Sequence, residues 1–188
     1  MRTLLICIAI FQGYVTVAQE HRFAPDFAVA QYAGSIGFFS VGAGYDVFGK
    51  HELSIHYGYV PENRGGRLNI LASKLVFNTY SFNLSERVRV HPLNVGAMLS
   101  YHFGSQFRSH WPGHRYPDGY YWWKTSLKAH LLTQSSVTVS FRDRHIRSMA
   151  VFVELNTNEL YLISLVQNRH SLRLADIVKV GCGVRANF

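Results

Sequence analysis

The stretch 177-IVKVGCGVRANF-188 decides how the rest of the chain is read. Taken at period two, Val178, Val180, Cys182, Val184, Ala186 and Phe188 fall on one face, and Lys179, Gly181, Gly183, Arg185 and Asn187 on the other. One face is wholly apolar and ends on an aromatic. A strand of roughly 10 residues is what a tilted crossing of a bilayer's hydrocarbon core requires. The same strand also suits one wall of a soluble sandwich, so this segment alone leaves both readings open.

The other end of the chain weighs on the choice. Met1 and Arg2 form a short positive region, Leu4 to Phe11 an apolar run, and Val17-Ala18-Gln19 a small-residue stretch suited to cleavage, the pattern of a secretory signal peptide over 1–19. Cys7, preceded by Ile6, is a poor lipoprotein acceptor. The run is too short for a transmembrane helix, and nothing later reaches roughly 18 uninterrupted apolar residues. After cleavage Cys182 is the only cysteine, so no internal disulfide is expected to hold the exported chain.

Residues 20–188 amount to a single domain able to bury a core. Hydrophobic residues make up 48%, aromatic residues 14% and charged residues only 16% of the sequence; soluble domains carry roughly 25% charged residues. Such a balance fits an outer face that meets lipid. The net charge of +8, or +7 once Arg2 is removed with the leader, points to an anionic neighbour. For an exported chain nucleic acid is set aside, which leaves lipid or lipopolysaccharide phosphate, or a basic face that is only solvated and has no ligand.

Alternation recurs along the chain. In 36-IGFFSVGAGYDV-47, Gly37, Phe39, Val41, Ala43, Tyr45 and Val47 oppose Ile36, Phe38, Ser40, Gly42, Gly44 and Asp46; glycine at this density marks close backbone approach. Residues 48–51 turn into 52-ELSIHYGYV-60, where Leu53, Ile55, Tyr57 and Tyr59 oppose Glu52, Ser54, His56 and Gly58. The loop 61-PENRGG-66 follows. The run 68–82 is rich in strand formers on both faces, which leaves its parity open, and 83–86 turns into a strand that changes parity at His91-Pro92, as a bulge allows. After the long loop 103–119 come strands over 120–133 and 146–155. Asn156 to Asp176 reads either as one more strand or as a short helix from Glu159 to Asn168, capped by Thr157 or Asn158.

Bacterial single-chain barrels have an even number of strands, short turns on one side and longer loops on the other. Placing Phe188 at the short-turn side puts 61–66, 103–119 and 156–176 at the opposite end and the turns 48–51 and 83–86 at its own. The arithmetic requires an additional first strand, for which Phe23 to Tyr32 is the candidate despite Pro25. The reading is an all-β chain, a closed antiparallel transmembrane β-barrel of eight strands. A secreted soluble barrel or sandwich is the competing fold. Against it, the face opposite the apolar one is mostly Gly, Ser, Asn and His, and aromatics gather at strand ends, as in Tyr57, Tyr59 and 120-YYWW-123.

The leader ending in Ala18-Gln19, the alternation in 35-SIGFFSVGAGYD-46 and 55-IHYGYVP-61, and the terminal aromatic resemble small outer-membrane β-barrels of Bacteroidota-type Gram-negative bacteria. The ending resembles the signal by which such barrels are recognised for insertion, with Gly183 five residues before Phe188. The resemblance implies the cell outer membrane, contact with the barrel-insertion machinery and a monomer; it implies no activity.

Glu52, Ser54, His56, Lys128, His130 and Glu154 share lumen-facing parity. Small barrels that remodel lipid A use such groups to activate a nucleophile or water. His56 or His130 with Ser54 or Ser126 and Glu154 are the candidate catalytic residues, yet no diagnostic deacylase or acyltransferase motif is present. The alternative is a filled interior whose polar groups satisfy one another. An eight-stranded lumen is just filled by side chains, which disfavours a wide pore. His110, His114 and Asp118 fall short of a zinc signature, so neither metal nor cofactor is expected. Arg64, Arg67, Arg108, Arg115, Arg169 and Arg173 lie in connections expected to be external, placed for lipopolysaccharide phosphate.

Overall fold

Strand-forming alternation closes into a ring. The computed structural model describes residues 24–49, 51–64, 66–104, 107, 126–142 and 145–188. The strands are β1 (Phe27–Ala33), β2 (Phe39–Val47), β3 (His51–Val60), β4 (Leu68–Phe77), a short β5 (Phe82–Asn83), β6 (Val88–Phe103), β7 (Leu127–Ser140), β8 (Ser148–Asn158) and β9 (Lys179–Asn187). Two helices, α1 (Glu159–Gln167) and α2 (Leu174–Ile177), lie between β8 and β9. Pairing runs β1-β2-β3-β4-β6-β7-β8-β9 and returns to β1, antiparallel at every step. The result is a closed eight-stranded antiparallel barrel, and closure leaves none of the eight with an unpaired edge. β5 stands outside the ring and pairs only with the lower end of β6.

The expected leader 1–19 lies outside the described residues. The first strand forms at Phe27, just beyond Pro25, so that proline never has to donate within a ladder. Register slips between His91 and Asn94, where the bulge was expected. The helical alternative after β8 is the one adopted: Asn158 accepts the Tyr161 N–H at 2.9 Å and caps α1. The run expected as one strand over 68–82 ends at Phe77, and Phe82–Asn83 pairs separately; β7 is displaced. Expected at 120–133, it runs instead from Leu127 to Ser140, and of the expected span 120–125 lies outside the described residues. Its continuation is paired to β8 as far as Ser140 opposite Ser148, by the β-branched run Val137-Thr138-Val139.

Connections 61–67, 104–126 and 159–178 all lie at one end, called upper here, while 48–50, 78–87 and 141–147 lie at the lower end with Phe188. The two longest connections are thus upper, as expected, but the division by length is incomplete: the turn 34–38 is also upper, and the lower connection, expected as a short turn at 83–86, spans 78–87 because β4 already ends at Phe77. Phe188 is fastened there by its N–H to the Asp26 carbonyl, at 2.9 Å.

Each of the eight ring strands alternates between an outward apolar and an inward mixed face. Outward positions form a belt with Leu53, Ile55, Leu99, Leu131, Val151 and Val184 around its middle, all 41–61% exposed. Aromatics ring the belt at both ends: Tyr32, Phe39, Tyr57, Tyr59, Tyr101 and Phe103 above, and Tyr45, Phe77, Tyr80, Phe82, Phe141 and Phe188 below.

Inside, large residues lie against glycines. A Cβ at Gly183 would collide with the Phe152 ring and the Ala30 carbonyl, and one at Gly44 with the Phe27 ring. The lumenal glycines thus make room for two rings in a narrow barrel. Gly183→Ala is expected to lower unfolding stability by about 1–3 kcal/mol, the usual cost of overpacking. In Phe152→Ala the same change should cost clearly less, which denaturant titration of the four members of that cycle would show.

Candidate functional site

The lumen is where the chain concentrates its chemistry. Lys74 on β4 is 3% exposed and Glu154 on β8 is fully buried. The Lys74 Nζ donates to Glu154 Oε2 at 2.6 Å and to Gln31 Oε1 at 2.8 Å. The other carboxylate oxygen, Oε1, accepts from Asn156 Nδ2 at 3.0 Å and from Gln31 Nε2 at 3.3 Å. Asn156 is tied in turn to Ser35 in the β1–β2 turn. Three strands and a turn are thereby joined across the barrel by a charge pair with its hydrogen bonds made. A second pair, Glu52 with Arg185, lies towards the lower end; Asn78 also donates to Glu52 at 3.1 Å, and Arg185 lies 5.3 Å from the Phe27 ring centre.

The candidate catalytic side chains are brought inside in separate groups. Ser54 Oγ and His56 Nε2 lie 2.9 Å apart, and both residues are buried. His130 Nε2 is 2.8 Å from Ser100 Oγ, a serine that sequence reasoning did not single out. Ser126 is buried near the upper end, where its carbonyl accepts the His102 N–H at 2.7 Å. Neither His56 Nδ1 nor His130 Nδ1 has a hydrogen-bond partner among the described residues. Glu154 is engaged by Lys74, Gln31 and Asn156, so the described residues assemble no Ser-His-carboxylate relay of the kind that orients an imidazole.

Space is distributed unevenly. At the lower end a polar cavity of ≈ 650 Å³ lies among Asp46, Glu52, Arg89, Arg147 and Arg185. Deeper, beside Lys74, His56 and Phe152, the free volume falls to ≈ 10 Å³, at or below what one water needs. Ile36, fully buried beneath the upper turn, and Ile70, Met98 and Leu132 fill the remaining core.

Arg64, Arg67, Arg169 and Arg173 are exposed in the upper connections. Arg108 and Arg115 lie outside the described residues, as do His110, His114, Asp118 and the aromatics 120–123. Among the described residues no group of three or more His, Cys, Asp or Glu is placed to hold a metal. No described helix is long and apolar enough to cross a membrane.

Sequence reasoning missed Lys74, Gln31 and Asn156, the partners that define the network. The parity of β4 was the obstacle: Ile70, Ala72 and Val76 face inward while Leu71, Leu75 and Phe77 face out, so both faces read as apolar. A lone lysine inside such a run was the available signal.

No protein-family model matches the chain, and no curated protein does. Among solved structures, a chain described as "De novo design of transmembrane beta-barrels" matches 89% of this chain and all of its own length, at 15% identity and a TM-score of 0.40.

Removing one member of the central pair strands the other. Lys74→Met or Glu154→Leu alone is expected to cost about 3–5 kcal/mol, and the double replacement far less, because an uncompensated buried charge is worse than none. Guanidinium unfolding of the three variants would separate that pattern from simple additivity.

Proposed function

We propose that the chain is a bacterial outer-membrane β-barrel, exported by the leader 1–19 and inserted as a monomer by the barrel-insertion machinery, which reads Gly183 and Phe188. Its role is structural or surface-interacting, with a filled lumen and basic external connections that contact lipopolysaccharide. The observation that carries this is the inverted distribution of polarity. The closed barrel has charge pairs inside and an aliphatic belt between two aromatic girdles outside. A soluble barrel or sandwich would place these faces the other way round. The place of the two longest connections, 104–126 and 159–178, at the end opposite Phe188 agrees with an external upper side.

On this reading Arg64, Arg67, Arg169 and Arg173, together with Arg108 and Arg115 in the long upper connection, pair with phosphates of the outer leaflet. A second reading, a lipid A or phospholipid acyl-modifying enzyme, draws on the Ser54–His56 and Ser100–His130 hydrogen bonds, with Ser126 and Glu154 as further candidates. The burial of both pairs and the engagement of Glu154 by Lys74 favour the structural role.

The protein is expected to fractionate with outer membranes and to show heat-modifiable migration. Replacing the six arginines with glutamine should weaken binding to lipopolysaccharide vesicles while leaving that migration unchanged. Recovery in the soluble fraction would overturn the membrane reading, and undiminished binding the phosphate contacts. Release of labelled fatty acid from lipid A, abolished by His56→Ala or His130→Ala, would favour the enzyme instead.

A further inference from the structure

The lower mouth of the barrel has two walls of opposite charge. In the ring, β2 and β7 stand four strands apart whichever way the count runs, so they face each other across the lumen. Asp26 just before β1, Asp46 on β2 and Glu52 on β3 bring carboxylates to the arc around β2. Arg89 on β6 and Arg147 just before β8 bring guanidinium groups to the arc around β7, with Thr138 and Ser140 of β7 between them. All of these line the polar cavity of ≈ 650 Å³.

The charges neutralise one another only in part. Glu52 is taken by Arg185 on β9, a pair that crosses the lumen and lines both this cavity and the small void beside Lys74, so it forms the floor between them. Asp26 accepts the Asp46 N–H at 2.9 Å through one oxygen, and Arg89 donates its Nε to Asn83 Oδ1 at 3.1 Å, which leaves its two terminal nitrogens. The Asp46 carboxylate and the Arg147 guanidinium have neither a hydrogen bond nor an ion pair among the described residues. Thr138 Oγ1, whose residue stands opposite Arg89 in the ladder, and His91 Nδ1 are buried atoms with no partner among those residues.

A cavity with a closed floor and walls of opposite sign carries a field across its width. A simple anion or cation is drawn to one wall and repelled by the other. A molecule with one charge of each sign at its two ends satisfies both.

We propose that this lower cavity binds a short peptide with both ends free, its α-carboxylate on Arg89 and Arg147 and its ammonium group on Asp46 and Asp26. Guanidinium takes a carboxylate through paired hydrogen bonds, and Thr138 Oγ1 and His91 Nδ1 stand ready for the peptide's backbone groups. The volume lies within the usual range for ligand sites and exceeds what one small amino acid fills. This goes beyond the structural role proposed above and needs only the closed barrel; on the membrane reading the cavity opens to the periplasm.

The test titrates the full mature chain, refolded in detergent micelles, with trialanine in a calorimeter. Trialanine should bind, and N-acetyl-trialanine and trialanine amide should each bind about tenfold more weakly, the factor given by 1.4 kcal/mol. Arg147→Gln should weaken trialanine but not the amide, which has already lost the carboxylate. Asp46→Asn should weaken trialanine but not the acetylated peptide. Lys179→Gln, a charge change at the upper end, should alter nothing. Heat-modifiable migration verifies folding of each variant. No binding by folded wild type, or equal binding of the blocked peptides, overturns the site. Tighter binding of the acetylated peptide would make it an anion site and tighter binding of the amide a cation site, each contrary to the proposal. Because binding is read in micelles, recovery of the protein in the soluble cell fraction would overturn the membrane reading and leave this result standing.

Discussion

A charge pair sealed inside a narrow barrel constrains everything around it. Lys74 and Glu154 have almost no access to solvent, so their charges must be compensated by each other and by Gln31 and Asn156. That compensation joins β1, β4 and β8, strands that do not all neighbour one another in the sheet. It follows that strand register is fixed from within as well as by the ladders. A slip of one residue would turn Lys74 outward and leave Glu154 buried alone.

The same narrowness explains the distribution of small residues. The interior has to hold Phe27, Phe152, Met98 and Leu132 as well as the ion pairs, and glycines at Gly44 and Gly183 provide the room. Gly183 therefore has a packing reason for its identity, independent of its place five residues before Phe188. On the outer wall the logic reverses. Bulky residues dominate there, and small ones at Ser73, Ala97 and Ala129 leave a groove in place of a floor for another ring.

Much of the fold was legible because period-two alternation survives wherever one face is uniformly apolar. β2, β3, the upper part of β6, the start of β7, β8 and β9 belong to that class, and the inward parity of Glu52, Ser54, His56, His130 and Glu154 followed from it. Legibility failed where the lumen itself is apolar. In β4 an inward Ile70, Ala72 and Val76 hid the inward Lys74, and in β7 the adjacent Leu131 and Leu132 obscured which face continues. The pairing of His130 with Ser100 was beyond reach for a different reason. Those two residues lie on neighbouring strands, and register between strands is set by the bulge at His91 and by the turns, which spacing along one strand does not encode.

The central claim is that the aliphatic belt faces lipid while the charged lumen is closed to it. Magnetisation transfer in lipid nanodiscs, from acyl-chain protons to methyl groups of labelled protein, addresses that claim directly. Ile55, Leu99 and Val151 should show strong transfer from lipid chains and none from water, whereas Ala72, Met98 and Ala150 should show no lipid contact. Water contact along Ile55, Leu99 and Val151 would contradict the account.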